Sequence, residues 1–160
     1  MGSDEDFQRA VEAVYATFGA FGAGDAAPFA ALWSRGDDVT IFGGFGAYER
    51  GWAEVGPRLD WAASRLGGGD RLTVQRLAGH ASPDTTSQYE LLTAGSSYEL
   101  LAAGSGGDLG YAVSLDRMRE GAGVLRVTHL FRREDGAWRI IHRHADPIAA
   151  KTAPEAILPQ

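Results

Sequence analysis

The chain has 160 residues, of which 44% are hydrophobic and 22% charged, with a formal net charge of −6 and a pI near 5.1. This composition predicts one globular domain and argues against partners that need a basic surface, namely nucleic acid and anionic membranes. The absence of cysteine excludes disulfides and thiolate catalysis, and the sequence has neither a membrane-spanning run nor a signal peptide, so we expect a cytoplasmic protein.

Three helices are predicted in the N-terminal part of the chain. Apolar residues at spacings of three and four predict an amphipathic helix over residues 4–23. Asp25 can cap a second, short helix that extends to Trp33. A third helix is predicted over residues 51–66, and we expect Pro57 to kink it or to shorten it from its N-terminal side. The apolar stripe of the first helix comprises Phe7, Val11, Val14, Phe18 and Phe21.

The rest of the chain is predicted to form strands, because β-branched and aromatic residues alternate there with polar ones. Helices followed by a run of antiparallel strands define an α+β domain. We therefore expect a cone-shaped α+β barrel, in which three N-terminal helices pack on a strongly curved, mostly antiparallel sheet and leave a cavity on its concave side. The predicted strands cover residues 39–42, 71–81, 109–118, 124–133 and 138–144.

Residues 82–107 contain a near-repeat of nine residues, YELLTAGSS from position 89 and YELLAAGSG from position 98. Two copies are too few for a solenoid. The segment is interpreted as a hairpin with its turn near Gly95 and Ser96, or as two short helical turns. Its role is either a lengthened loop or a lid over a pocket. Residues 147–160 are predicted to form a C-terminal tail.

Residues 131–146 carry the most specific local signal, a hairpin that positions two histidines. Asp135 and Gly136 form a two-residue turn between alternating segments. Because side chains in a strand alternate faces, the strand after this turn is predicted to place His142 and His144 on one face. Trp138 and Ile140 would share that face, whereas Arg139, Ile141 and Arg143 would point the other way.

The order of elements and three stretches of sequence resemble the nuclear-transport-factor-2-like superfamily, which includes SnoaL-like polyketide cyclases and ketosteroid isomerases. The stretches are the turn at 22–25, the helix at 51–63 and the final hairpin at 126–144. The hairpin is also similar to the association domain of calcium/calmodulin-dependent protein kinase II. The resemblance implies a single SnoaL-like domain over residues 1–146 with an insertion at 82–107, a hydrophobic pocket and a homodimer.

The carboxylates of the ketosteroid isomerases are not retained in this resemblance. The first-helix tyrosine of that family falls near Thr17, with Tyr15 close by. Its aspartate base falls near Gly43, and the proton-sharing aspartate of its oxyanion hole falls at His129. Isomerisation by that mechanism needs both a base and an acid, so it is not expected here.

His129 is the leading candidate for proton transfer, because an imidazole titrates near neutrality and the relatives direct this position into the cavity. We expect His142 or Tyr15 to assist it. Alternatively, the histidines only line a wall through hydrogen bonds, or three of them bind zinc. The predicted pocket walls are Trp33, Ile41, Trp61, Tyr111, Val127, Trp138, Ile140 and His144, although each aromatic taken singly is typical of a core.

The favoured function is a SnoaL-like pocket protein that binds or converts a small hydrophobic molecule, polyketide-like or steroid-like. As an enzyme it would use cofactor-free acid–base chemistry of the isomerase, cyclase or dehydratase type, with no metal. The alternatives are a small-molecule carrier and a non-catalytic association module. Arginines predicted on the outer strand faces are either solvated or part of an oligomer interface, namely Arg126, Arg132, Arg139 and Arg143.

Overall fold

The computed structural model describes residues 3–43, 46–66, 73–76, 87–92, 96–117 and 124–148. These residues form three helices and eight strands. The helices are α1 (Ser3–Gly22), α2 (Ala27–Ala30) and α3 (Trp52–Leu66). The strands are β1 (Thr40–Phe42), β2 (Glu49–Arg50), β3 (Thr73–Arg76), β4 (Ser87–Leu92), β5 (Ser96–Gly106), β6 (Leu109–Arg117), β7 (Val124–Glu134) and β8 (Ala137–Pro147).

The eight described strands lie in one sheet, in the order β2-β1-β8-β7-β6-β5-β4-β3. Neighbouring strands pair antiparallel except for β1 and β8, which run parallel. The sheet is curved and unclosed, and α1 and α2 pack on its inner face. The predicted α+β class, with helices on a curved and mostly antiparallel sheet, is confirmed.

The helices form close to where the sequence predicts them. The N-cap residue of the short α2 is Ala26, not the predicted Asp25. Asp25 lies one position earlier, and its Oδ1 atom accepts a hydrogen bond from the backbone N–H of Ala27 at 3.0 Å. Helix α3 runs from Trp52 through Pro57 without interruption, so the predicted shortening is wrong. Pro57 lies in the second turn, where its missing N–H removes one early hydrogen bond. Within the described residues, no helix combines the length and the apolar character needed to cross a membrane.

The three C-terminal strands are confirmed as β6, β7 and β8, and part of the predicted strand at 71–81 is described as β3. The near-repeat forms β4 and β5, which pair antiparallel with Tyr89 opposite Tyr98. The hairpin interpretation is therefore right for the described residues, and the helical one is wrong. The short β2 was not predicted from the sequence. Most of the tail at 147–160 lies outside the described residues.

The hydrophobic core lies between α1 and the inner face of the sheet. The ring of Phe7 meets Phe131 and Trp138 edge-on, at centroid distances of 5.3 and 5.0 Å. Farther along α1, Phe18 packs against Phe29 of α2 at 5.3 Å. All five side chains are buried. Burial of each large apolar side chain stabilises the fold by about 1.5–3 kcal/mol, so the stripe predicted on α1 is what holds the helix to the sheet.

Gly110 of β6 allows α1 to approach the sheet closely. A Cβ atom on Gly110 would lie 2.8 Å from Cζ of Phe7, well inside van der Waals contact. Phe7 has no free space to move into, because it is buried against Phe131 and Trp138. A side chain at position 110 would therefore push α1 away from the sheet or force strained rotamers.

We predict that Gly110→Ala lowers the free energy of unfolding by about 1–3 kcal/mol through overpacking. Urea denaturation of the two proteins measures the change. Gly106→Ala in β5 is the matched control, because a Cβ atom there meets nothing within 4 Å, and we expect it to stay within about 0.5 kcal/mol of the parent. Equal effects of the two substitutions would show that contact with Phe7 does not limit position 110.

Candidate functional site

A bulge in β8 determines which side chains reach the inner face of the sheet. Leu130 of β7 lies opposite His142, but the next pair along the strands is Phe131 with Ile140. Ile141 is therefore an extra residue, and a bulge of this kind shifts the alternation of side chains by one position. Side chains of β8 after the bulge point to the face opposite to the predicted one.

The prediction that His142 and His144 share a face with Trp138 and Ile140 is consequently wrong. His142 and His144 lie on the outer face, where both rings contact Phe42 of β1 at centroid distances of 5.1 and 5.4 Å. The sheet thus separates His142 from His129, the residue that it is predicted to assist. Arg143, predicted to point outward, lies on the inner face with a largely buried side chain.

Polar side chains from three neighbouring strands form a buried cluster on this inner face. Ser114 and Asp116 belong to β6, His129 to β7 and Arg143 to β8. Ser114 Oγ donates to Asp116 Oδ1 at 2.9 Å, and Arg143 Nη2 lies 3.6 Å from Asp116 Oδ2. His129 and Arg143 are paired in register, so they lie side by side. These four residues are the candidate functional site.

Burial controls the ionisation of Asp116. The residue is 3% exposed, and the loss of hydration raises its pKa from 3.8 to about 6. Arg143 and the Ser114 hydroxyl both favour the charged carboxylate and only partly offset this effect. A carboxyl group with a pKa near neutrality can accept a proton and return it at working pH, as a general base must.

His129 is enclosed by aromatic rings and lacks a complete set of hydrogen bonds. It is 1% exposed, with Phe18 and Phe29 at centroid distances of 6.5 and 6.3 Å. Its Nε2 atom has no hydrogen-bond partner among the residues that the structure describes. Burial, followed by the charges of Arg143 and His142, holds the pKa of His129 well below its usual range. The imidazole is therefore neutral at pH 7 and suited to orient or polarise a ligand.

Helix α1 contributes a buried tyrosine to the interior. Tyr15 is 1% exposed, and its ring lies 6.0 Å from that of Phe18. The hydroxyl of Thr17 instead donates back to the carbonyl oxygen of Val14 at 2.6 Å. Of the two first-helix residues considered from the sequence, Tyr15 is thus the one whose side chain belongs to the interior, and its role in proton transfer stays a prediction.

The predicted pocket residues divide between the interior and the surface. Trp61 lies on the exposed side of α3, with the guanidinium of Arg58 4.1 Å from its ring centroid. Ala112 faces inward, so the adjacent Tyr111 lies on the outer face, where it is 44% exposed. His144 also lies on the outer face, because it follows the bulge. The structure corrects the predicted positions of these three residues. The other five are buried, namely Trp33, Ile41, Val127, Trp138 and Ile140.

The other arginines of the sheet engage in surface contacts. These contacts account for three of the four arginines expected on outer faces, whereas Arg143 belongs to the interior. The carboxylate of Asp146 takes part in one of them. Arg126 pairs with Asp146, Arg132 pairs with Asp38 and Glu134, and Arg139 donates to the carbonyl oxygen of Ala31.

The three-histidine zinc alternative does not agree with this geometry. His129 faces inward, whereas His142 and His144 face outward, so their imidazoles cannot converge on one ion. No group of three potential ligands gathers anywhere in the part of the chain that the structure describes.

The helices and the strand order define the class of α+β proteins in which helices pack on a curved, unclosed sheet. Residues 99–150 match the family model described as a SnoaL-like domain. This match and solved structures of the same fold confirm the resemblance to the nuclear-transport-factor-2-like superfamily. Among curated proteins, none matches the sequence.

Three solved structures illustrate the likeness. A Thiobacillus denitrificans protein, named as a candidate calcium/calmodulin-dependent protein kinase type II association domain, is 20% identical with a TM-score of 0.61 over 89% of this chain and 94% of that one. A candidate dehydratase of the NTF2-like family from Streptomyces avermitilis is 18% identical with a TM-score of 0.59 over 92% and 99%. An NTF2-like superfamily protein from Salmonella enterica is 15% identical with a TM-score of 0.59 over 96% and 99%. At these identities the likeness extends to the fold alone.

Sequence reasoning missed Asp116 and misplaced Arg143. Asp116 shares its strand face with the buried Ala112 and Ser114, and this parity is the signal that could have located it. For Arg143 the available signal is weaker, since two adjacent isoleucines interrupt the alternation just before it. Such a doublet is compatible with a bulge but does not require one.

We predict that Asp116 contributes a fall in the free energy of unfolding as the pH rises from about 4 to about 6, because folded Asp116 retains a proton that the unfolded chain has released. The lowered pKa of His129 contributes in the opposite sense, so the Asp116 contribution is the difference in pH dependence between the parent and Asp116→Asn. The difference between 3.8 and about 6 corresponds to a loss on the order of 3 kcal/mol. Asp116→Asn should lose this contribution and keep that of His129. Its absolute stability is a poorer measure, since Arg143 loses its counter-charge. Urea denaturation at a series of pH values provides the test.

Asp38→Asn is the control for this slope. The hydrogen bond from Arg132 lowers the pKa of Asp38, so its contribution to stability is present above its ordinary pKa and is lost at lower pH. That variant should change the pH dependence below about 4 and leave the interval from 4 to 6 as in the parent. An identical pH dependence of the parent and Asp116→Asn in that interval would contradict the assignment to Asp116.

Proposed function

We propose that this protein binds and converts a small hydrophobic molecule, polyketide-like or steroid-like, by cofactor-free acid–base chemistry at the inner face of its sheet. The SnoaL-like match and the NTF2-like fold support the general class of function. The name of the Streptomyces relative, a candidate dehydratase, is in keeping with chemistry of this type. The observation that carries the proposal is the buried cluster of Asp116, His129 and Arg143.

The cluster is difficult to explain as a stabilising feature of the core. A buried ion pair contributes little or nothing relative to well-packed apolar residues, and its guanidinium–carboxylate contact here is longer than a good hydrogen bond. The imidazole of His129 adds a buried nitrogen without a described partner, which costs about 1–3 kcal/mol. Unsatisfied groups of this kind in native proteins call for an explanation, and a bound ligand supplies one.

The three side chains have complementary roles in the proposed reaction. The carboxylate of Asp116 removes a proton from the ligand, and a pKa of about 6 allows it to do so at neutral pH. Arg143 stabilises the negative charge that develops on a neighbouring ligand oxygen, as an oxyanion site does. Neutral His129 hydrogen-bonds to the ligand through Nε2. The proton then returns from Asp116 to another ligand atom, which gives an isomerisation that needs no cofactor.

Deuterium exchange tests this function and does not require the product to be identified. Steroid ketones and aromatic polyketides are incubated with the protein in D2O, and NMR follows the exchange of acidic C–H positions. We expect the parent to accelerate the exchange for at least one ligand class, and Asp116→Asn to bind that ligand but lose the acceleration. Binding without acceleration by the parent would instead indicate a carrier.

His129→Phe separates a ligand-binding role from a structural one. If His129 serves the ligand, an apolar ring of similar shape should keep or raise the thermal stability and weaken binding, because the buried unpaired nitrogen is removed. His129→Gln keeps a hydrogen-bonding group and should retain part of the binding. A stable His129→Phe protein with full affinity would contradict the proposed role.

Self-association through the outer face of the sheet is the second function that we consider. Three large apolar side chains are exposed there, namely Tyr111 at 44%, Leu130 at 39% and Phe42 at 41%. They lie on neighbouring or nearby strands and share the same face of the sheet. Exposed apolar surface on a sheet is typical of a protein–protein contact. The Thiobacillus relative is named as an association domain, so a second copy of this chain is the partner that we propose.

We predict that Leu130→Glu reduces the mass of the assembly to that of one chain, because a carboxylate would be buried in the contact. Light scattering coupled to size exclusion measures the mass. Trp61→Glu is the control, since Trp61 is comparably exposed on α3, away from the sheet, and its substitution should leave the mass unchanged. A parent protein that is monomeric at high micromolar concentration would rule out pairing through this face.

A further inference from the structure

The outer face of β8 carries a pair of histidines that the proposed acid–base chemistry does not use. His142 and His144 are two residues apart on one strand and therefore share a face. Their ring centroids lie 6.4 Å apart, with an angle of 68° between the planes. Phe42 of β1 contacts both rings edge-on and shields one side of the pair from water. The arrangement is thus a local one, built by the bulge and by the parallel pairing of β1 with β8.

One nitrogen of His142 is already engaged. Thr40 is the register partner of His142, and its Oγ1 atom lies 2.7 Å from Nδ1. When Nδ1 carries the proton and donates it to the hydroxyl, the lone pair is on Nε2. Histidines that bind metals are commonly held in this way, with the second nitrogen bonded to a neighbouring oxygen that sets the tautomer and the ring orientation.

The distance between the rings suits chelation after a small rotation. Two imidazoles that bind one ion at about 2.0–2.1 Å with tetrahedral geometry have centroids roughly 5 Å apart. His144 is exposed, so a change of its side-chain torsion can close the gap from 6.4 Å while His142 stays on Thr40. In the unpaired chain the ion would then face solvent, where water can complete its coordination. Self-association through Phe42 and Leu130 would cover the same face, so the two uses of this face exclude each other.

We propose that His142 and His144 form a two-histidine site for a divalent transition metal of the Zn²⁺ and Cu²⁺ class. Imidazole nitrogen is a preferred ligand for both ions. The carboxylate of Asp146, two residues beyond His144, is paired with Arg126, and no group of three potential ligands forms among the described residues. Water therefore occupies the remaining positions and the affinity is moderate. The site is separate from the interior cluster, from which the sheet divides it.

Metal titration of the full chain, prepared without a histidine tag, tests the proposal. Calorimetry with Zn²⁺ should give one ion per chain, and the electron paramagnetic resonance spectrum of the Cu²⁺ form should show coupling to two imidazole nitrogens. His144→Asn should abolish the two-nitrogen signal. Thr40→Val removes the hydroxyl with little change of shape and should weaken binding about ten-fold, whereas Thr40→Ser keeps it and should bind as the parent does.

Two results would overturn the assignment. Unchanged affinity in His144→Asn would place the ion elsewhere on the chain, and equal weakening by Thr40→Val and Thr40→Ser would remove the supporting role of the hydroxyl. The Asp116→Asn and His129→Phe proteins should bind the ion as the parent does, because they alter only the opposite face. If the chain does not bind the ion, the acid–base proposal is unaffected, because Asp116 and His129 lie on the opposite face and are tested by their own variants.

Discussion

The bulge at Ile141 is the constraint on which both faces of this protein depend. Without it, strict alternation would send Arg143 into solvent and turn His142 and His144 toward the helices. The extra residue reverses which side chains face inward over the end of β8. In this part of the sheet β8 lies between β7 and the parallel β1. The inward position of Arg143 and the outward positions of the two histidines therefore have a single geometric cause.

The interior contains one group of residues that stabilises the folded state and another that destabilises it. At the N-terminal end of α1, Phe7 closes the cone against Phe131 and Trp138 with dense aromatic packing. Farther along the sheet, Asp116 and Arg143 occupy positions that apolar side chains could fill with less cost in desolvation. Folds commonly tolerate such local cost at the site of function, where the surrounding core over-determines the structure. The pKa of Asp116, raised by burial, is the chemical product of that arrangement.

The sequence was sufficient for the fold but not for the site. Periodicity on α1, the polar Asp25 just before α2 and the Asp135–Gly136 turn are local signals, and local signals place elements well because they act within a few residues. The partners of His129 depend on register across three strands, which a single sequence does not specify when a bulge intervenes. The resemblance to the superfamily did not predict Asp116 either, since the family's two aspartates fall at positions 43 and 129.

Catalysis and association need not be competing descriptions of this chain. The pocket proposal uses the inner face, where Arg143 points, and the association proposal uses the outer face, where Leu130 and Tyr111 are exposed. Side chains along a strand point alternately to the two faces of the sheet. A chain–chain contact on the outer face therefore leaves the residues of the inner face free to bind a ligand. One sheet can therefore support relatives named for association and relatives named for dehydration. Proton transfer by Asp116, as proposed, is therefore independent of how many copies assemble.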